Sequence, residues 1–333
     1  MKTRTPRPLE PVMDALCSAQ RIALVCHVSP DGDTLGSALA LRQGLLSLGR
    51  EVELFCQDKA PAYLSFLPGA ETIRQPEDLA ADETFDLVVC VDISDLKRMG
   101  RCDCLMQRAP FSAQIDHHET NTLFCNANGV DGKAPACALV AWELLRRLGC
   151  AVTHEIALCL FVALSTDTGH FSFSSTTPEA FSVMAELLET ELPMGEIHRR
   201  LYRQRHPAQV QLLSRALATL TFHHGGRITS MKLTARDFAD CGALPEHAED
   251  IVNYGLDVLG VEMCVFARES VREGTTAIKC SMRAVPGRKI NGVAVQLGGG
   301  GHPQAAGVTL HTGLDQAVEQ IVTLMTAELE KNA

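Results

Sequence analysis

The chain opens with a short apolar run, residues 21–26 (Arg-Ile-Ala-Leu-Val-Cys), that breaks off in a turn of Pro, Asp and Gly. Apolar positions at helical spacing follow over residues 34–48, and Gly49 closes them. Residues 52–56 read as a second strand and 111–115 as another. Between these, residues 85–91 are almost wholly apolar, as expected of a strand covered on both faces. Residues 136–148 and 154–164 carry helical patterns. Strand and helix alternate, which predicts an α/β domain: a parallel sheet with helices on both faces.

The second half has another texture. Residues 193–213 are rich in basic side chains (Arg199, Arg200, Arg203, Arg205, His206) and read as a helical connector. Residues 227–235 and 261–268 look like strands, and 275–284 pairs with the latter through the turn Arg272-Glu273-Gly274. A glycine-rich loop, 298–301, precedes an amphipathic helix at 314–329. This predicts a smaller α+β domain. A length of 333 residues favours two domains. The expected division is a catalytic domain at 1–193, a connector at 194–220 and a substrate-binding domain at 221–333.

Composition narrows the function classes. The longest apolar candidate, residues 156–164, is far too short to span a bilayer, and the basic N-terminal segment has no apolar region after it. The 13 cysteines include Cys26, Cys90 and Cys264 inside apolar runs, with no CxxC pair. They read as reduced buried thiols of a cytoplasmic protein rather than a disulfide framework or zinc site. Net charge is −10 but uneven: residues 1–193 hold 15 Lys and Arg against 26 Asp and Glu, and 194–333 hold 15 against 14. One half is suited to cations and the other to receiving an anion. So acidic a chain is not suited to wrapping long duplex nucleic acid, while a short oligonucleotide or a nucleotide remains open.

Four motifs carry candidate chemistry. The run at 21–26 delivers His27 to the carboxyl edge of the sheet, with Asp31 and Asp33 two residues apart in the turn and Gly32 bending the backbone between them. The bland alternative is a helix N-cap, with Asp33 before a helix from Thr34. Asp92 follows a doubly buried strand; a carboxylate there is costly unless paired, and bridging two cations would pair it. A strand-end Asp that caps the next turn is the ordinary alternative. Asp116-His117-His118 follows the strand at Ile115. Neighbouring histidines point different ways, so one can ligate while the other faces substrate. Asp167-Thr168-Gly169 either caps the helix 154–164 or adds another carboxylate. His and Asp with almost no soft ligands are the donor set of a pair of hard or borderline divalent cations: manganese first, magnesium or cobalt as alternatives.

Downstream, Gly298-Gly299-Gly300-Gly301-His302-Pro303-Gln304-Ala305-Ala306-Gly307 would let backbone N–H groups approach an anion, with His302 as a further donor. A plain flexible loop is the alternative.

Taken in order, HVSPDGDTLGS, VDISDLKRMG, DHH, TDTGHF and GGGGHPQAAG resemble the DHH/DHHA1 phosphoesterase family, and most closely its nanoRNase (bifunctional oligoribonuclease/pAp phosphatase) subgroup. The resemblance runs from about Arg21 to the C-terminal helix. It implies an N-terminal DHH domain, a C-terminal DHHA1 domain and an active site in the cleft between them. His27, Asp31 and Asp92 would hold one metal, and Asp33, Asp92, His117 and Asp167 the other. His118 would face the scissile phosphate, Arg98 would help stabilise its charge, and Asp116 would support the ligand histidines. Arg268, Ser281, Arg283, Gly300, Gly301 and His302 match positions that bind phosphate and nucleotide. The family often has Ser-x-Arg-Ser where this chain has Ser281-Met282-Arg283-Ala284. The implied reaction is manganese-dependent hydrolysis of short single-stranded RNA, or of adenosine 3′,5′-bisphosphate (pAp), by a monomer or homodimer. Rivals are a cyclic or linear dinucleotide phosphodiesterase and a non-catalytic metal- or nucleotide-binding regulator.

Overall fold

A computed structural model describes residues 7–272 and 275–331. The chain divides into two compact units, Met1–Arg203 and Gln204–Ala333, so the boundary falls inside the basic segment read as a connector.

The first unit is built on β1 (Arg21–Cys26), β2 (Glu51–Phe55), β3 (Leu87–Val91), β4 (Phe111–Asp116) and β5 (Ala127–Val130). They form one sheet in the order β2-β1-β3-β4-β5, every pair parallel. Its helices are α1 (Glu10–Ser18), α2 (Gly32–Ser47), α3 (Cys137–Arg147), α4 (His154–Asp167), α5 (Pro178–Leu188) and the short α6 (Met194–His198), followed by a π turn at Arg199–Arg203. One sheet face (Ile22, Leu24, Val89, Ile115) packs on residues of α1 to α5. The other (Ala23, Val25, Val88, Cys90) is covered largely by Met99, Cys102 and Leu105 of two 3-10 segments that span Leu96–Gln107 and break at Gly100. Both faces are therefore apolar, which accounts for the unbroken apolar run of β3.

The second unit contains α7 (Pro207–Ala218), β6 (Thr221–His223), β7 (Ile228–Leu233), α8 (Ala235–Cys241), α9 (Ile251–Leu256), β8 (Met263–Arg272), β9 (Thr275–Ala284), α10 (Asn291–Gln296), β10 (Gly300–His302), β11 (Ala305–Leu310) and α11 (Leu314–Lys331). The sheet order is β10-β11-β9-β8-β7-β6, antiparallel except for β7 with β8. Met263, Val265, Cys280 and Met282 face α10 and α11, while Cys264 and Phe266 face the side of α7, α8 and α9. Glu273 and Gly274, read as a hairpin turn, lie outside the described residues; the strands on either side pair from Met263↔Ala284 to Arg272↔Thr275.

The glycine-rich segment is not a free loop. Gly300–His302 forms an edge strand on β11, and a Cβ at Gly299 or Gly301 would lie 2.2 Å from the Gly307 carbonyl or 2.4 Å from that of Ala305. Those two glycines are there because two backbones close on each other. All 13 cysteines are free, and no helix among the described residues is long and apolar enough to cross a membrane.

Candidate metal centre

The chain leaves β1 toward β2 on one side and returns to β3 on the other, so the carboxyl ends of β1 and β3 flank the point where strand order reverses. Open α/β sheets place ligands there. His27 directly follows β1, Asp92 directly follows β3, and Asp116 ends β4 with His117 and His118 behind it. Asp92 turns the chain in the left-handed region, with φ of 60°.

Two helices bring the remaining carboxylates. The first residue of α2 is Gly32, and its N-cap is Asp31 rather than Asp33: Asp31 Oδ1 accepts from the N–H groups of Asp33 (3.0 Å) and Thr34 (3.1 Å). Gly32 lies inside the first turn, so it does not bend the chain between the carboxylates as expected. It permits contact: a Cβ there would sit 2.3 Å from Oγ1 of Thr166 on α4, and one at Gly36 would sit 2.4 Å from the Cys159 carbonyl. The close approach of α2 and α4 sets Asp167, the last residue of α4, beside Asp33. Asp167 thus ends the helix, with Gly169 at φ of 56°, and joins the cluster as well. Asp33 also accepts from the N–H groups of Cys137 (2.6 Å) and Ala138 (2.9 Å), capping α3, whose own N-cap Ala136 offers no side-chain acceptor.

His27 Nε2 lies 3.4 Å from Asp92 Oδ2 and 3.6 Å from Asp31 Oδ2. His117 Nε2 lies 3.3 Å from Asp167, 3.5 Å from Asp92 Oδ1 and 3.7 Å from Asp33. The two carboxylate oxygens of Asp92 therefore serve different histidines. Nδ1 of His27 faces the Val28 carbonyl (2.8 Å) and Nδ1 of His117 faces that of Ala134 (3.2 Å). A proton on each Nδ1 would leave the Nε2 lone pairs aimed at carboxylate oxygens. His27 Nε2 and Asp92 Oδ1 are buried and have no hydrogen-bond partner. With Nε2 unprotonated these groups are all acceptors and a cation among them balances them; ligands about 2.1 Å from one ion stand about 3–3.5 Å apart, as these do. Donor atoms close enough to share a cation fall into three overlapping groups among the described residues: His27, Asp31 and Asp92; Asp33, His117 and Asp167; and Asp92, Asp116, His117 and His118. In the third, Nδ1 of His118 and Oδ1 of Asp116 are already hydrogen-bonded to each other, which leaves the first two as the groups that fit divalent cations.

The charges agree. Burial, then the charges of Asp92, Asp167 and Asp31, push the Asp33 carboxyl well up. Burial likewise raises Asp92, against the pull of His27, and lifts Asp167 to about 6. Burial alone would lower His27, but Asp31 and Asp92 outweigh it and hold the ring near 9. These are the perturbations of a cluster with too much negative charge for its surroundings.

His118 turns the other way. Its Nδ1 lies 2.7 Å from Asp116 Oδ1, and its ring is tilted 54° from that of His117. Asp116 is fully buried; its Oδ1 also accepts from the His117 N–H (2.8 Å), and its Oδ2 from Asn121 (2.5 Å). Asp116 thus orients His118, while backbone carbonyls orient the rings of His27 and His117. The hydrogen bond to Asp116 raises the pKa of His118, and the positive charge of Arg98 opposes that. Arg98 Nε is buried without a partner. Asn121, which no sequence motif above includes, ties Asp116 to Gln114 (3.2 Å) and the Ile93 carbonyl (3.1 Å); its place three residues after His118 is the one signal of it in the sequence.

In the second unit, Arg268, Ser281, Arg283 and His302 share one sheet face. Ser281 pairs with Phe266 and Gly307, Arg283 with Cys264 and Ala305, and Ala305 with His302. Gly300 opposes Gly307 on that face, and Gly301 follows it in β10. Arg268 donates to the Pro245 carbonyl (3.0 Å) and lies over Phe238. Ala284 is buried on the opposite face, so the departure from Ser-x-Arg-Ser takes nothing from the Arg283 face.

Comparison with known proteins follows the same division. Residues 21–164 match the DHH family, N-terminal domain, and residues 233–331 match the DHHA1 domain. The chain is 36% identical to the bifunctional oligoribonuclease and PAP phosphatase NrnA of Thermus thermophilus, over 93% of this chain and 90% of that one. It is 25% identical to the NrnA of Bacillus subtilis, over 87% and 90% respectively. Among solved structures, an exopolyphosphatase-related protein from Bacteroides fragilis superposes with a TM-score of 0.86 at 26% identity, covering 97% of this chain and 95% of that one.

Proposed function

The chain belongs to the DHH family of phosphoesterases, with a DHHA1 domain after the DHH domain, and from that premise we propose that it hydrolyses short RNA oligonucleotides to mononucleotides and pAp to AMP. The relatives named for these two activities support the choice of substrates. The observation that carries the reading is Asp92, buried and left-handed, with one oxygen toward His27 and the other toward His117. His27, Asp31 and Asp92 would hold one divalent cation, and Asp33, Asp92, His117 and Asp167 a second, with manganese the best match to the donors. Such cations supply Lewis acidity toward a phosphoryl oxygen and make water a competent nucleophile near neutral pH.

The chain's own groups do the rest. Asp116 fixes the orientation and tautomer of His118 and favours its protonated form. His118 then donates from Nε2 to a phosphoryl or leaving-group oxygen as negative charge develops. Arg98 adds a positive charge beside it. The aspartates roughly neutralise two divalent ions, so a phosphate dianion needs cations from elsewhere. On this reading Arg268, Arg283 and His302 would supply them, with Ser281, Gly300 and Gly301 as uncharged donors. The free cysteines suit a cytoplasmic enzyme.

A parallel turnover assay with Mn2+ tests this, comparing RNA dimers to pentamers, a longer single strand, pAp, linear and cyclic di-AMP, and pyrophosphate. Mononucleotides from the short RNAs and AMP from pAp are expected. Turnover of the di-AMPs alone would replace the substrate assignment. Metal binding without turnover of any of them would make the protein a regulator.

A further inference from the structure

The segment after Asp167 is strained. Gly169, His170 and Phe171 take φ of 56°, 55° and 64° in succession. One left-handed residue ends a helix, but two more, one of them bulky, are unfavourable and persist only where the surroundings enforce them. The surroundings do so here. The His170 N–H donates to the Ser165 carbonyl (2.7 Å), and its Nδ1 lies 3.1 Å from Ser165 Oγ, which in turn lies 2.8 Å from the Tyr202 hydroxyl. Phe171 stacks on Phe181 with centroids 5.1 Å apart.

The strained turn brings Phe173 back over its own beginning. The Phe173 N–H donates to the Thr168 carbonyl (3.0 Å). A Cβ built on Gly169 would lie 2.4, 2.5 and 2.6 Å from three consecutive carbons of the Phe173 ring. Near-equal distances to three neighbouring carbons put that point over the ring face, not its edge. One face of Phe173 thus rests on Gly169, and the residue is 57% exposed. Gly169 and Asp167 are two residues apart, so their α-carbons are separated by no more than about 7 Å. A flat aromatic surface is held within one nucleotide's reach of the metal centre.

We propose that the outward face of Phe173 is the platform on which a nucleobase of the substrate stacks, making this residue a determinant of substrate binding that accepts any base. The proposal rests on the phosphoesterase reading above. Base–aromatic stacking tolerates any base, as an enzyme that shortens RNA of mixed sequence requires.

The test uses the full chain with Phe173→Ala and Phe173→Trp, an RNA dimer, and the same dimer with its bases removed. Phe173→Ala should raise KM for the dimer about tenfold with kcat and the abasic rate little changed, and Phe173→Trp should retain wild-type KM. In the metal-free Phe173→Trp protein, AMP should quench the new fluorescence and ribose 5-phosphate should not; the wild type, with Trp142 alone, supplies the background. Wild-type kinetics in Phe173→Ala, an equal loss on normal and abasic dimers, or no quenching by AMP would each overturn the platform. Failure of the wild type to cleave any nucleotide would overturn the phosphoesterase reading instead, and AMP quenching would still decide the role of Phe173.

Discussion

His27 presents Nε2 to Oδ2 of Asp92 across 3.4 Å, while its other ring nitrogen is engaged by the Val28 carbonyl. Neither His27 Nε2 nor Asp92 Oδ1 has a hydrogen-bond partner, and both are buried. Asp92→Asn keeps the shape and tolerates the left-handed backbone, since asparagine is among the residues enriched there. It removes the charge shared by both proposed cations. Activity should fall by more than the roughly 10–100-fold seen for outer partners of metal ligands, with the circular dichroism spectrum unchanged. Retained activity would remove Asp92 from the centre.

Asp116→Asn addresses orientation rather than ligation. Asp116 holds His118 at 2.7 Å and is the largest cause of its raised pKa. The variant should lose about 10–100-fold in kcat at unchanged metal content, and the ionisation of His118 in the pH–rate profile should move down. Loss of metal along with activity would assign Asp116 to ligation instead.

Stability of the metal-free protein should fall as pH rises. Asp167 titrates near 6 when folded and near 3.8 when unfolded, so between those values the folded state binds more protons. His27 titrates near 9 when folded and near 6.5 when unfolded, so its contribution is full below 6.5 and lost as pH passes 9. Both groups lower stability with rising pH across about 4 to 9. Thermal unfolding of the stripped protein at pH 5 and 8 should differ by about 5 °C or more in favour of pH 5, and Mn2+ should raise Tm most at pH 8. Greater stability at pH 8 without metal would contradict the charge assignment.

Gly32→Ala should destabilise by about 1–3 kcal/mol, because the new methyl collides with Thr166. It should also reduce activity by displacing Asp167 from Asp33. Thr166→Ala removes the two nearest colliding atoms and should recover part of both losses, as measured by urea unfolding and turnover. Independent, additive effects would contradict the contact.

Much of this was legible in the chain because strand ends announce themselves. An apolar run that stops at His27, Asp92 or Asp116 places that residue on the sheet's carboxyl edge, and β-α-β order makes the sheet parallel. Helix-to-helix contact is not legible: nothing local indicates that Gly32 faces Thr166, so in the sequence the glycine reads as a bend, and Asp33 rather than Asp31 stands as the alternative N-cap. Strand β5, Ala-Asn-Gly-Val, lacks the apolar density of its neighbours and pairs only at the edge. The hairpin of β10 and β11 was hidden by its own glycines, which read as a loop although their contacts make a strand. Asn121 looks like any loop asparagine until its partner Asp116 is seen.

Arg283→Ala should raise KM about tenfold and leave kcat nearly unchanged, since the side chain shares its sheet face with Ser281 and His302 and lies in the second unit, whereas the proposed metal ligands all lie in the first. An unchanged KM for short RNA would remove that face from substrate recognition.

The most direct test of the central claim counts ions. Metal-stripped protein titrated calorimetrically with Mn2+ should bind two ions per chain, and Asp92→Asn should bind at most one with comparable affinity. A single ion per chain in a wild-type protein that hydrolyses short RNA at full rate would contradict the bridged pair built on Asp92.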